Sequence, residues 1–153
     1  MPDVRVQVWG VGRNSDSQYL LVLRDESQRI LPMVIGPCEA LSIWSALRAD
    51  ESQQVLGRPM THDLLQTLIE RLGGRLVKVV IDDLWNKVFY AKLHIALNGE
   101  VVTVDSRPSD AVAIALRMGA PLFASISVMD AANQPDEPGE PPPEFDAGDL
   151  GDL

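Results

Sequence analysis

The chain has 153 residues, 46% of them hydrophobic, which is enough for one domain with its own core and too many for a fully disordered polymer. No apolar run approaches the roughly 18 residues needed to cross a membrane, the start Met1-Pro2-Asp3-Val4-Arg5 lacks a signal-peptide pattern, and one cysteine with two distant histidines excludes an internal disulfide and a Cys/His zinc site. The net charge of −9 is concentrated at one end: from Gln134 on there are seven acids and no base, leaving 15 acids against 13 Lys and Arg before it.

These features lead us to expect a cytoplasmic domain over residues 1–133, near neutral and without the basic excess that grips duplex backbones. Residues 134–153, with Glu-Pro-Gly-Glu-Pro-Pro-Pro, are expected to be a disordered acidic tail, having too little apolar surface to offset the entropy of ordering.

Val4, Val6 and Val8 alternate with polar residues, the period of a half-buried strand. After a polar turn at Gly12–Asp16, Tyr19–Leu23 reads as a buried strand and Ile30–Ile35 as a third. Gly36-Pro37 opens a helix with Ala40, Leu41, Ile43, Trp44 and Leu47 at helical spacing. A second helix starts at Thr61, a candidate N-cap, puts Leu64, Leu65, Leu68, Ile69 and Leu72 on one apolar face, and stops at Gly73-Gly74. The plan then repeats: a strand at Leu76–Ile81, alternation at Phe89, Ala91, Leu93 and Ile95, and an Asn98-Gly99 hairpin before Val101–Val104. A helix over Arg107–Met118, a short strand at Leu122–Ala124 and a brief helix near Val128–Ala132 follow.

At an offset of 71 residues Pro37 matches Pro108, Tyr19 matches Tyr90, Ala40 matches Ala111 and Ile43 matches Ile114, while Glu39 faces Asp110 and Cys38 faces Ser109. We therefore expect an α+β fold: a duplicated βββαα unit whose strands form one curved, barrel-like, mostly antiparallel sheet with helices packed outside. Cys38, matching Ser109, is expected to be a small residue packed at its turn.

Polar residues gather at three helix starts: Leu31–Ala40, Arg58–Leu65 and Val104–Ala111. Helix capping is their simplest role, with Thr61, Asp105 or Ser106 as caps and Glu39, Asp63 and Asp110 at the positive end of the helix dipole. Chemistry is the other reading. His62 beside Asp63 suits proton transfer near neutrality, Arg107 suits phosphate or carboxylate recognition, and Glu39, Asp105 and Asp110 are hard oxygen ligands suited to Mg²⁺ or Mn²⁺. Arg107 paired with Asp63 or Glu39 would instead be a structural clasp. His94, on a strand with Tyr90 and Lys92, reads as a cross-strand residue, and Trp9, Trp44 and Trp85 as core or interface residues.

Together, Leu31-Pro-Met-Val-Ile-Gly36 with Glu39-Ala40, Arg58-Pro-Met-Thr-His-Asp-Leu-Leu65 and Asp105-Ser-Arg-Pro-Ser-Asp-Ala111 resemble the motifs of the bifunctional nuclease domain family, in order, across residues 4–132. The resemblance implies a βββαα duplication, activity on DNA and RNA, and a subunit that self-associates, most simply as a dimer. Matching positions are Glu39, His62, Asp63, Asp105, Arg107, Ser109 and Asp110. The expected assignment makes His62, Asp63, Arg107 and Asp110 catalytic, with His62 oriented by Asp63. Arg58, Arg107 and Ser109 bind substrate, and Glu39, Asp105 and Asp110 hold Mg²⁺ or Mn²⁺. The alternative is a non-enzymatic regulatory or ligand-binding oligomer on the same fold.

Overall fold

The computed structural model describes residues 3–48, 57–134 and 145–146. Three antiparallel strands, β1 (Asp3–Asn14), β2 (Tyr19–Asp25) and β3 (Ile30–Ile35), lead into α1 (Pro37–Leu47) and α2 (Thr61–Arg71). A second meander, β4 (Arg75–Trp85), β5 (Val88–Leu97) and β6 (Glu100–Ser106), leads into α3 (Pro108–Met118). Then come β7 (Leu122–Ser125), α4 (Ile126–Ala132) and a two-residue strand β8 (Phe145–Asp146).

Turn chemistry sets the registers. Asn98 and Gly99 both have positive φ, the primed hairpin turn anticipated from the Asn-Gly pair. Asn86 and Lys87 adopt the same sign between β4 and β5. At the first turn the Asn14 Oδ1 accepts the backbone N–H groups of Asp16 and Gln18 at 3.0 and 2.9 Å. α3 ends at Gly119, whose φ of 65° is the left-handed cap that glycine adopts without strain.

The strand order is β3-β2-β1-β7-β4-β5-β6, with β8 on β1. All pairs are antiparallel except β4 with β7. The expected barrel-like closure is not seen. β7 bridges the two meanders in the middle, and β3 and β6 are left as edges among the described residues. Pro32 within β3 suits an edge, since it has no N–H to offer a further strand.

One face of the sheet carries Val6, Leu23, Leu31, Val79, Ile81 and Leu93 against Ile43 of α1, Ile114 of α3 and Met129 of α4. Burying each such side chain contributes roughly 1.5–3 kcal/mol. α3 is the central helix: Ala111 to Ala115 are all buried, and the alanines at 111, 113 and 115 let neighbours approach closely. The apolar face of α2 is largely uncovered among the described residues. Leu64, Leu65, Leu68 and Leu72 are exposed, only Ile69 packs against the core, and the buried residue of this helix is His62. The helix lies at the periphery and is attached through its polar start.

The acidic tail lies mostly outside the described residues; beyond Gln134 its described part, Phe145–Asp146, pairs with Asn14 and Arg13 of β1. Among the described residues no helix is long and apolar enough to cross a membrane.

Candidate functional site

The starts of α1, α2 and α3 meet, and their polar side chains form one connected chain. Ser42 Oγ lies 2.6 Å from His62 Nδ1, and His62 Nε2 lies 2.9 Å from Asp110 Oδ1. Arg107 donates from Nε to Asp110 Oδ2 and from Nη2 to Glu39 Oε1, each at 2.8 Å. Beside it, Arg117 donates from Nε to Asp63 Oδ1 at 2.7 Å and from Nη1 to the carbonyls of Ser42 and Ala113 at 3.2 and 2.9 Å. Asp63 Oδ2 accepts the Met60 N–H at 2.8 Å, so this carboxylate serves the helix start as well as the arginine.

Helix periodicity explains the convergence. Glu39 and Ser42 are three apart on α1, and Asp110 and Arg117 are two turns apart on α3, so each pair shares a face. Gly36 leaves room for the Glu39 carboxylate, which a Cβ there would strike. None of the three helices has a side-chain cap bond from its N-cap residue, which is Gly36, Met60 or Arg107. Thr61 is the first helical residue rather than the cap. Ser106 donates to the Arg107 carbonyl, and Asp105 points to Lys92, so neither caps α3.

Burial alone would raise the pKa of Asp110, but hydrogen bonds from Arg107 and His62 outweigh it and hold the carboxyl below its ordinary value. Asp63 is likewise lowered: burial opposes the shift, and hydrogen bonds from Arg117 and the Met60 N–H prevail. The Arg107 guanidinium is held charged by Asp110 first and Glu39 second. An ionised Asp110 only accepts, so Nε2 of His62 carries the proton between them, and in the neutral ring Nδ1 accepts from the Ser42 hydroxyl.

The structure thus brings together Glu39, His62, Arg107 and Asp110. Asp63 is adjacent but faces Arg117, so His62 is oriented by Asp110 and Ser42 rather than by Asp63. Asp105 is exposed on β6 and pairs with Lys92 at 3.2 Å. Arg58 is exposed and forms no ion pair among the described residues, while Ser109 is buried in the first turn of α3. Cys38 is exposed, so its match with Ser109 in sequence is not a match in packing. Trp9 and Trp85 are exposed, and His94 sits between Lys78 and Thr103 on neighbouring strands.

The donor set does not fit a divalent cation. Glu39 and Asp110 are bridged by the Arg107 guanidinium, Asp105 lies elsewhere, and among the described residues no three His, Cys, Asp or Glu side chains form a metal-holding group. Ser42 and Arg117 join the cluster without belonging to any of the three motifs. The signal for both was spacing: three residues after Glu39 and seven after Asp110.

The bifunctional nuclease domain family model matches residues 21–137, and the chain belongs to that family. An uncharacterized protein of Mycobacterium tuberculosis is 41% identical over 143 residues, covering 92% of this chain and 82% of its own length. Bifunctional nuclease 1 of Oryza sativa subsp. japonica is 28% identical over 115 residues, 72% of this chain and 34% of the plant protein. Bifunctional nuclease 2 of Arabidopsis thaliana is 22% identical over 109 residues, 69% of this chain and 32% of its own length.

Proposed function

We propose that this domain is a nuclease acting on phosphodiester bonds of DNA or RNA, with Arg107 as its phosphate-gripping group. One observation carries the reading: the Arg107 side chain is 66% exposed yet fixed by carboxylates on two helices. Two of its five N–H donors meet those carboxylates, and the others are available to an oxyanion approaching from solvent. Asp110 orients Arg107, and His62 orients Asp110 from behind. His62 and Ser42 are buried, so in this reading they are positioning residues and do not touch substrate. Glu39, 16% exposed on its side chain, is the carboxylate beside Arg107 left to accept a proton from water.

A specific observation favours a second reading, a non-enzymatic ligand-binding or regulatory module. Three carboxylates face two guanidiniums, so the cluster repels rather than attracts a polyanion when His62 is neutral. We also propose an internally duplicated domain and a self-associating subunit. Internal duplication is supported by two βββα runs in the same order on either side of β7. Self-association as a dimer is supported by the exposed Leu64, Leu68 and Leu72 of α2.

The test incubates purified protein with single- and double-stranded DNA and RNA in Mg²⁺, Mn²⁺ or EDTA, alongside folded Arg107→Ala and Glu39→Gln proteins. Cleavage that falls at least 100-fold in both variants supports the nuclease. Cleavage unchanged by either variant removes this site from the reaction, and no cleavage under any condition leaves the binding module.

A further inference from the structure

Arg107 and Arg117 of the helix cluster are in ion pairs, as are Arg29 and Lys92. The face of the sheet opposite the helices behaves differently. Register puts Arg24 opposite Gln7 and Arg5 opposite Phe123, and Phe123 opposite Val80, two residues along β4 from Lys78. Arg5, Arg24 and Lys78 therefore share one face with Trp9, and none of the three forms an ion pair among the described residues. They rest on aromatic rings instead. Arg24 lies 5.2 Å from the Trp9 ring centre, and Arg5 and Lys78 lie 5.7 and 5.8 Å from that of Phe123. Trp9 is 50% exposed at the bulge between Val8 and Gly10. It borders a shallow cleft of about 220 Å³ that also takes in Arg5, Gln7 and Arg24. Of the cleft's two acids, Asp25 is buried and engaged by Arg29, which leaves Glu26 on the rim.

We infer that this face binds single-stranded nucleic acid, one base stacking on Trp9 and the flanking phosphates meeting Arg24, Arg5 and Lys78. Arg5, Arg24 and Lys78 offer an anionic ligand cations that are not spent on carboxylates, against Asp3 and Glu26 on the same surface, and an exposed indole beside a guanidinium selects a ligand with flat bases free to stack. From β2 across β1 and β7 to β4 is three strand spacings, roughly 14 Å, which suits a short single strand. A duplex keeps its base faces stacked internally, and the near-neutral body of the domain gives its backbone little extra attraction. The inference takes its choice of ligand from the nuclease reading but uses a different surface, so the two can fail separately.

Fluorescence anisotropy of labelled oligothymidylate and oligouridylate, in EDTA and at low salt, tests it without turnover. Full-length protein should bind these more tightly than a duplex of equal length. Trp9→Ala should weaken binding roughly 10-fold, and Trp9→Phe should restore most of it. Arg24→Ala with Lys78→Ala should reduce the salt slope by about 1.4, two phosphate contacts at about 0.7 each. Three results would overturn the inference: no single-strand binding by the parent, equal binding by folded Trp9→Ala, or displacement of the oligonucleotide by polyglutamate as readily as by unlabelled strand. Binding intact with no cleavage would sink the nuclease reading and leave this surface standing.

Discussion

Replacing Arg117 with methionine keeps most of the side-chain volume and removes the charge that ties three helices together. The arginine side chain is 6% exposed, and it reaches Asp63 on α2, the Ser42 carbonyl on α1 and a carbonyl of its own helix. Removing one partner of a fully buried pair costs about 3–5 kcal/mol. Asp63, however, is 40% exposed and keeps its hydrogen bond to the Met60 N–H, so water recovers part of that loss. An effect of about 2 kcal/mol is expected, a fall in Tm of roughly 6–8 °C for a domain of this size. The loss should also be local. α2 buries no leucine and is held by His62, Asp63 and Ile69, so its amides should exchange faster while those of β1 and β4 hardly change. Hydrogen exchange with mass spectrometry, beside thermal melts of Arg117→Met, Asp63→Asn and the double variant, reads both effects. Unchanged α2 protection, with no coupling between the two substitutions, would refute the account of Arg117 as the clasp.

Gly36→Ala should destabilise the parent more than a Glu39→Ala background, because only in the parent does its Cβ push the Glu39 carboxylate away from Arg107, while the loss of glycine at the helix N-cap is common to both; paired melts read the difference. Asp63 and Asp110 titrate below their ordinary range when folded. Their contribution is therefore full above about pH 4 and fades as pH falls through the folded values, and Asp63→Asn with Asp110→Asn should flatten the acid limb of urea-melt stability. Leu64→Ser with Leu68→Ser should cost less than about 0.5 kcal/mol each in the monomer, since both are exposed, while sedimentation should show any dimer dissociating.

How far the sequence could be read follows from which interactions are local. Strand alternation, the Asn98-Gly99 turn and the Gly119 stop depend on residues within a few positions of one another, and those elements stand where the pattern put them. The exposure of the leucine face of α2 has no local signal, because periodicity reveals that a face is apolar, not whether anything covers it. The open sheet depended on β7, four residues whose pairing with both β1 and β4 has no local signal.

At the candidate site the sequence alone determined that polar residues collect at three helix starts, and it named Glu39, His62, Arg107 and Asp110 among them. Only the tertiary structure decided their partners. His62 turned to Asp110, 48 residues away, rather than to neighbouring Asp63, because adjacent residues on a helix point about 100° apart. Arg107 went to Glu39, 68 residues away, because α1 and α3 pack side by side with their starts together. Pairing across helices is set by packing, and a linear pattern does not contain it.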